Sequence, residues 1–215
     1  ADIIEPRLKN PEPSLRIGAI DVLYAINSYD SALKISDLFF DPSPEVRYAA
    51  DTFAPFMKHP EILPAMVAAL KLETVPENIL RLVQSMNGPG VTSPEAEDLV
   101  ASYLTSPRKV LQEAAIQALG SMGAVSKKDI LINLKPMSSL GRAFRIQALA
   151  QMQYQLSESE ITSALRNGGG DERTAALGMV KQFRVTHLRP LVEQIASHDR
   201  NAIVRDVARE ALLVI

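Results

Sequence analysis

With 215 residues, 47% of them apolar and 22% charged, the chain has the makeup of an ordinary folded protein. A net charge of −2 and a pI near 6.0 supply no general attraction to phosphate backbones, so nucleic acid is not the expected partner. The absence of cysteine excludes disulfides, thiolate metal sites and a cysteine nucleophile, and it suits cytoplasm and periplasm alike, leaving the compartment open. The longest apolar run, Ile62 to Leu72, is interrupted by Pro64 and falls short of the roughly 20 residues that cross a bilayer, so no membrane insertion is expected.

Taken in chain order, the sequence is one unit written repeatedly. Apolar residues open successive blocks at Leu15, Val46, Ile79, Leu111, Phe144 and Val204, with Glu172 holding the equivalent place before the last. If these are position zero, position four is Ala19, Ala50, Val83, Ala115, Ala148, Ala176 and Ala208, and position three is mostly small as well. Positions zero, three, four, seven and eight share one face of a 3.6-residue helix. Each block therefore predicts an amphipathic helix whose buried stripe narrows to a small-residue saddle where another helix approaches. A second helix is expected before each block from the second onward: 32–40, 61–71, 94–104, 128–134, 158–166 and 188–197. A helix–turn–helix unit at this period is the signature of stacked repeats sharing a continuous core, so residues 1–215 are expected to form a single repeat domain.

Helix starts are marked locally. Ser43-Pro44-Glu45 and Ser93-Pro94-Glu95 place a capping hydroxyl before proline at the first helical position, and Asp171 is expected to cap the sixth block. Glu172 at position zero is read as a first-turn carboxylate favoured by the positive helix end. Asn87-Gly88-Pro89-Gly90 reads as a helix stop and loop. The chain begins at Ala1 without an initiator methionine and ends on an apolar helix at Leu212 to Ile215, which leads to the expectation that it is a piece of a longer protein.

The run Asp41-Pro42-Ser43-Pro44-Glu45-Val46-Arg47-Tyr48-Ala49-Ala50 resembles the second half of a HEAT repeat, in the form called lyase-like in bacteria, and so do Leu15-Arg16…Ala19, Phe144-Arg145…Ala148 and Val204-Arg205…Ala208. The resemblance covers nearly the whole chain. It implies an all-α fold, a right-handed α-α superhelix of the HEAT and armadillo type, with about seven helix pairs. It also implies a ladder in which an arginine at position one meets an aspartate in the turn; the matching residues are Arg16, Arg47, Arg145, Arg173 and Arg205, with Asp41, Asp171 and Asp199. Leu80 and Gln112 depart from the pattern, so the ladder should break in mid-array.

Nothing in the sequence assembles a reaction centre. His59, His187 and His198 lie far apart and none pairs at helical spacing, so neither a metal site nor a catalytic residue is assigned. HEAT-repeat enzymes similar to deoxyhypusine hydroxylase hold iron through His-Glu pairs; here the histidines precede Pro60, Leu188 and Asp199. HEAT-like DNA glycosylases would need a basic groove with aromatic walls, against a balanced charge and no tryptophan here. Asn167-Gly168-Gly169-Gly170-Asp171 precedes a helix, but without a preceding strand or a following Lys-Ser or Lys-Thr it is an inter-helix turn rather than a phosphate loop. No cofactor is expected.

The expected function is therefore a non-enzymatic scaffold that holds a protein or peptide on a concave face, the alternative being a structural or regulatory spacer of a larger membrane or multidomain protein. In HEAT arrays the second helices line that face, so positions two, five, six and nine should reach it. Ile17, Ile20, Tyr24 and Tyr48 then form one apolar patch, with Arg81 the next position-two residue, and Ile116, Ile146, Leu149 and Leu177 form another. Alternatively, position five is covered by the neighbouring repeat, since solenoid helices bury two flanks. Basic residues gather towards the C-terminal end, where Arg184, Arg189, Arg200 and Arg209 could form an anionic docking patch.

Overall fold

The computed structural model describes residues 1–86, 90–136 and 138–215; of the loop expected at 87–90, residues 87–89 lie outside the described residues. Among the described residues there are thirteen α-helices, short 3₁₀ turns and no strand. The helices are α1 (Pro13–Ala25), α2 (Ala32–Ser36), α3 (Pro44–Phe53), α4 (Ile62–Leu72), α5 (Pro76–Ser85), α6 (Pro94–Ser102), α7 (Lys109–Met122), α8 (Lys128–Asn133), α9 (Ser139–Gln151), α10 (Glu158–Asn167), α11 (Gly170–Phe183), α12 (Arg189–His198) and α13 (Ala202–Leu212). The fold is all-α and built of helix pairs, as α-solenoids are. No helix among the described residues is long and apolar enough to cross a membrane.

Contacts divide the chain into two compact units, Ala1–Tyr103 and Leu104–Ile215. In the first, α1, α3 and α5 pack side by side as one layer and α2, α4 and α6 as the other. In the second, α7, α9, α11 and α13 form a layer in which each helix meets the next, backed by α8, α10 and α12. The alanine register holds throughout: Ala19, Ala50, Ala115, Ala148, Ala176 and Ala208 are all 0–2% exposed. The saddle is tightest between α7 and α9. A Cβ at Gly120 would lie 2.6 Å from the Ala148 Cβ and 2.7 Å from its Cα, so only glycine against alanine lets these backbones come so close.

Caps follow the sequence in part. The Ser43 hydroxyl accepts from the Val46 amide at 3.4 Å and that of Ser93 from the Ala96 amide at 3.2 Å, each ahead of a first-turn proline. Asp171 is not a cap. Gly169 occupies that place without a side-chain bond, and Asp171 lies inside the helix. Glu172 is 7% exposed and its carboxylate reaches Arg142 of the preceding repeat at 3.0 Å, so a lateral ion pair accounts for the charge at position zero.

Candidate functional site

The loops that join the helices are fastened by the arginine ladder. Arg16, Arg47 and Arg205 each donate through Nη1 to the carbonyl six residues earlier, those of Asn10, Asp41 and Asp199, at 2.6–2.8 Å. Arg16 then reaches forward to Asp41 at 2.7 Å, Arg47 to Glu73 at 2.8 Å and Arg173 to Asp199 at 2.8 Å. The last of these is an ion pair at Nε and a hydrogen bond at Nη2, since the Nε–H is not aimed at the carboxylate. Asp171, expected in the ladder, forms no rung; Arg145 instead donates to the Leu131 and Ile132 carbonyls and pairs with Glu160. Gln112 takes the arginine's place in its block by donating to the Leu104 carbonyl at 2.8 Å.

Glu73 shows how firmly such a rung is held. Burial alone would raise its carboxyl, but hydrogen bonds from Arg47, Val75, Asn78 and Thr74 outweigh burial and bring the pKa down to about 2. Glu73 was not marked by composition or motif. The spacing of 25 residues from Arg16 to Asp41 and 26 from Arg173 to Asp199 would have pointed to it, since Arg47 plus 26 is Glu73.

On the outer side of the α1–α3–α5 layer lies a row of aromatic and cationic groups. Tyr24 of α1 and Tyr48 of α3 are 40% and 39% exposed, and Ile17 and Arg81 are half-buried. The Tyr24 and Phe53 rings lie 4.7 Å apart, tilted by 36°. Arg81 of α5 donates to the Tyr48 hydroxyl at 2.8 Å and holds its guanidinium 5.2 Å from the centre of that ring. Side chains braced in this way lose little freedom when something is laid on them.

Position five turns out differently. Ile20, Ile116, Leu149 and Leu177 are 0% exposed and Ile146 is 4% exposed, so Ile20, Ile116, Ile146 and Leu149 are core residues and not surface candidates. α3, α9 and α11 each pack between two second helices, which turns position five into a shared flank there. Ile146 at position two is buried for the same reason. The expected central patch is thus interior, whereas Ile17, Tyr24, Tyr48 and Arg81 remain accessible.

Position five also puts Asp51 inside, at 0% exposure, with no hydrogen bond to either carboxylate oxygen. Burial, reinforced by the Glu73 charge and opposed by Arg47 and Arg81, pushes its pKa up to about 8. The Ser85 hydroxyl and the Arg81 Nε on α5 are likewise buried without a hydrogen bond. Asp51 was visible in the sequence as the acidic residue of a column that also holds Ile20, Ile116, Leu149 and Leu177, a signal that becomes meaningful once those four are known to be core.

The basic residues of the second unit do not form one patch. Arg184 caps α11 in the left-handed region and is exposed, Arg189 pairs with Glu193 and donates to the Ile215 carbonyl, and Arg209 pairs with Asp206 at 2.6 Å. Arg200 follows the far end of α12, a ten-residue helix about 15 Å long, from Arg189 at its start. Arg200 instead shares a groove of about 770 Å³ with Arg166, Arg173 and His198. The three histidines occupy separate places: His59 stacks on Tyr29, His187 lies 3.2 Å from Glu158, and His198 faces the Gln194 carbonyl. Among the described residues no group of three or more His, Asp or Glu could hold a metal ion.

No family model and no curated protein sequence matches the chain. Among solved structures it is similar to a designed armadillo repeat protein, with 17% identity over 98% of both chains and a TM-score of 0.43.

Proposed function

We propose that the chain is a non-enzymatic interaction module and that the row Ile17, Tyr24, Tyr48 and Arg81, with Phe53, receives a protein or peptide partner. The observation that carries this reading is the bracing of two exposed tyrosines, Tyr48 by Arg81 and Tyr24 by Phe53. Tyrosine and arginine held rigid at a surface are the residue types that dominate binding energy when covered. The partner offers an apolar or aromatic side chain to Tyr24 and Phe53 and a hydrogen-bond acceptor to Arg81. A second reading, a spacer that contacts neighbouring domains, is favoured by the apolar surface at Ile203 and Leu213, which are 67% and 86% exposed.

The test is a photo-crosslinking amino acid placed at position 48 and, as a control, at the exposed Gln117, followed by mass spectrometry of the adduct from native lysate. A single protein captured at 48 and not at 117 supports the row. Tyr48→Asp should weaken that partner by more than tenfold, a loss of about 1.4 kcal/mol or more, while far-UV circular dichroism and melting stay unchanged. Melting of the fold by Tyr48→Asp and Ile17→Glu together with no capture at 48 defeats the proposal.

A further inference from the structure

Three grooves of the same origin recur where the C-terminal end of a first helix, the following loop and a position-one arginine meet, and they serve as internal controls for one another. The groove of about 370 Å³ around Phe39, Asp41, Arg47 and Glu73 sets two carboxylates against one arginine. The groove of about 440 Å³ lined by Lys135, Arg142, Arg145, Glu160 and Glu172 pairs each arginine with a glutamate, at 3.0 Å for Arg142–Glu172 and 3.2 Å for Arg145–Glu160. The third, of about 770 Å³, gathers Arg166, Arg173, Arg200 and His198 around a single carboxylate, Asp199, which Arg173 already holds at 2.8 Å.

In that third groove Arg166 and Arg200 are exposed and have no acidic partner among the described residues. Arg166 and His198 stand in the last turns of α10 and α12, where positive charge complements the helix ends; that accounts for two cations. It does not account for Arg200, which lies in the loop between α12 and α13, or for the excess of positive charge over the two equivalent grooves. Leu165, Leu191 and Ile195 supply apolar wall beside the cations, and Gln194 and Asn167 supply amides.

We propose that this groove binds an acidic peptide segment, with carboxylate side chains on Arg166 and Arg200 and an apolar side chain between them against Leu191. Charge complementarity selects the occupant: two unpaired guanidiniums at a groove larger than a single oxyanion requires, with apolar wall between, match an extended acidic and apolar stretch of chain. The site lies wholly within the second unit and does not depend on the aromatic row of the first. Arg173 acts here as a positioning residue, since it holds the loop of Asp199 and Arg200 while its own charge is spent on Asp199.

The experiment uses the whole chain and a fluorescein-labelled oligoglutamate peptide with interspersed leucines, followed by fluorescence anisotropy. Saturable binding is expected, weakening several-fold as salt rises from roughly 0.05 to 0.5 M, because exposed charges are screened over that range. Arg166→Glu with Arg200→Glu should weaken it at least tenfold, and Arg166→Gln with Arg200→Gln by less, whereas Arg184→Glu should leave it unchanged. Backbone amide shifts on titration should centre on Asn167, Gly168 and Arg200. Three results overturn the proposal: no saturable binding at low salt, equal weakening by Arg184→Glu, or full displacement of the peptide by millimolar inorganic phosphate, which would make this a site for free oxyanions.

Discussion

The two units are built from the same repeat yet spend their interiors differently. In Ala1–Tyr103 the buried polar atoms without hydrogen bonds belong to Arg16, Asp51, His59, Arg81 and Ser85; in Leu104–Ile215 the corresponding set among the described residues is the Nε of Arg173. Aromatic residues divide the same way, with Tyr24, Tyr29, Phe39, Phe40, Tyr48, Phe53, Phe56 and Tyr103 in the first unit against Phe144, Tyr154 and Phe183 in the second. The second unit instead brings helices together over small residues, as at Gly120 and Ala148. Buried polar groups left unsatisfied lower stability, and such departures from good packing concentrate where function competes with it. The contrast thus points to the first unit as the less stable one and the one carrying the aromatic surface.

The comparison can be broken most severely at the ladder. Arg47→Met strands Glu73 in a buried place beside Asp51, and the expected cost is about 3 kcal/mol, read as a lowered urea midpoint by circular dichroism. An unaffected midpoint would mean that the rung is idle. Next comes packing. Gly120→Ala in α7 should cost about 2 kcal/mol because the new methyl meets Ala148, whereas Gly18→Ala in α1, with nothing within 4 Å, should be neutral or slightly stabilising. Equal effects at the two glycines would erase the packing difference between the units.

A subtler probe is pH. The raised carboxyl of Asp51 means that the folded state keeps its proton where the unfolded chain, near 3.8, has lost it. Its contribution is full below about 3.8 and is lost as pH rises towards about 8, whereas Glu73, with its lowered carboxyl, contributes above its ordinary value of 4.5 and loses that as pH falls towards about 2. Asp51→Leu, which places there the residue found at Leu149 and Leu177, should gain on the order of 1–2 kcal/mol at pH 8 and flatten the alkaline limb of the stability profile. A profile unchanged by Asp51→Leu would place that carboxyl in water. The smallest expected effect is at the end of α11. Arg184 sits at φ 51°, so Arg184→Gly should stabilise the second unit by about 0.5–1 kcal/mol without touching the Arg166–Arg200 groove, measured by melting and by oligoglutamate binding.

Much of the fold was legible in the sequence because an alanine at a fixed helical position records a single requirement, close approach of another helix, seven times with one exception at Val83. The ladder was legible where residue type and spacing coincided, as at Arg16 with Asp41, and was misread at Asp171, which lies on α11 rather than in the loop before it. The surface was harder. Apolar residues at position five look alike whether they face a groove or a neighbouring helix; only the packing of α7 against α9 and of α9 against α11 separates Ile116 and Leu149 from Tyr48. The basic groove escaped for another reason: Arg166 and Arg200 are 34 residues apart and on different repeats, and nothing local marks them as neighbours.

The ladder also gives the array a direction. Asp41 accepts the Ser43 amide as well as Arg16, and Asp199 accepts the Asn201 amide as well as Arg173, so each acid serves its own turn and the repeat before it. If a repeat opens, the acid downstream of it keeps its local amide, but the arginine upstream of it loses its carboxylate and is left with backbone carbonyls of its own turn. Opening of a repeat therefore loosens its predecessor more than its successor, so hydrogen-exchange protection in each unit should decay from the C-terminal side inwards, as a row of buttons undone from one end.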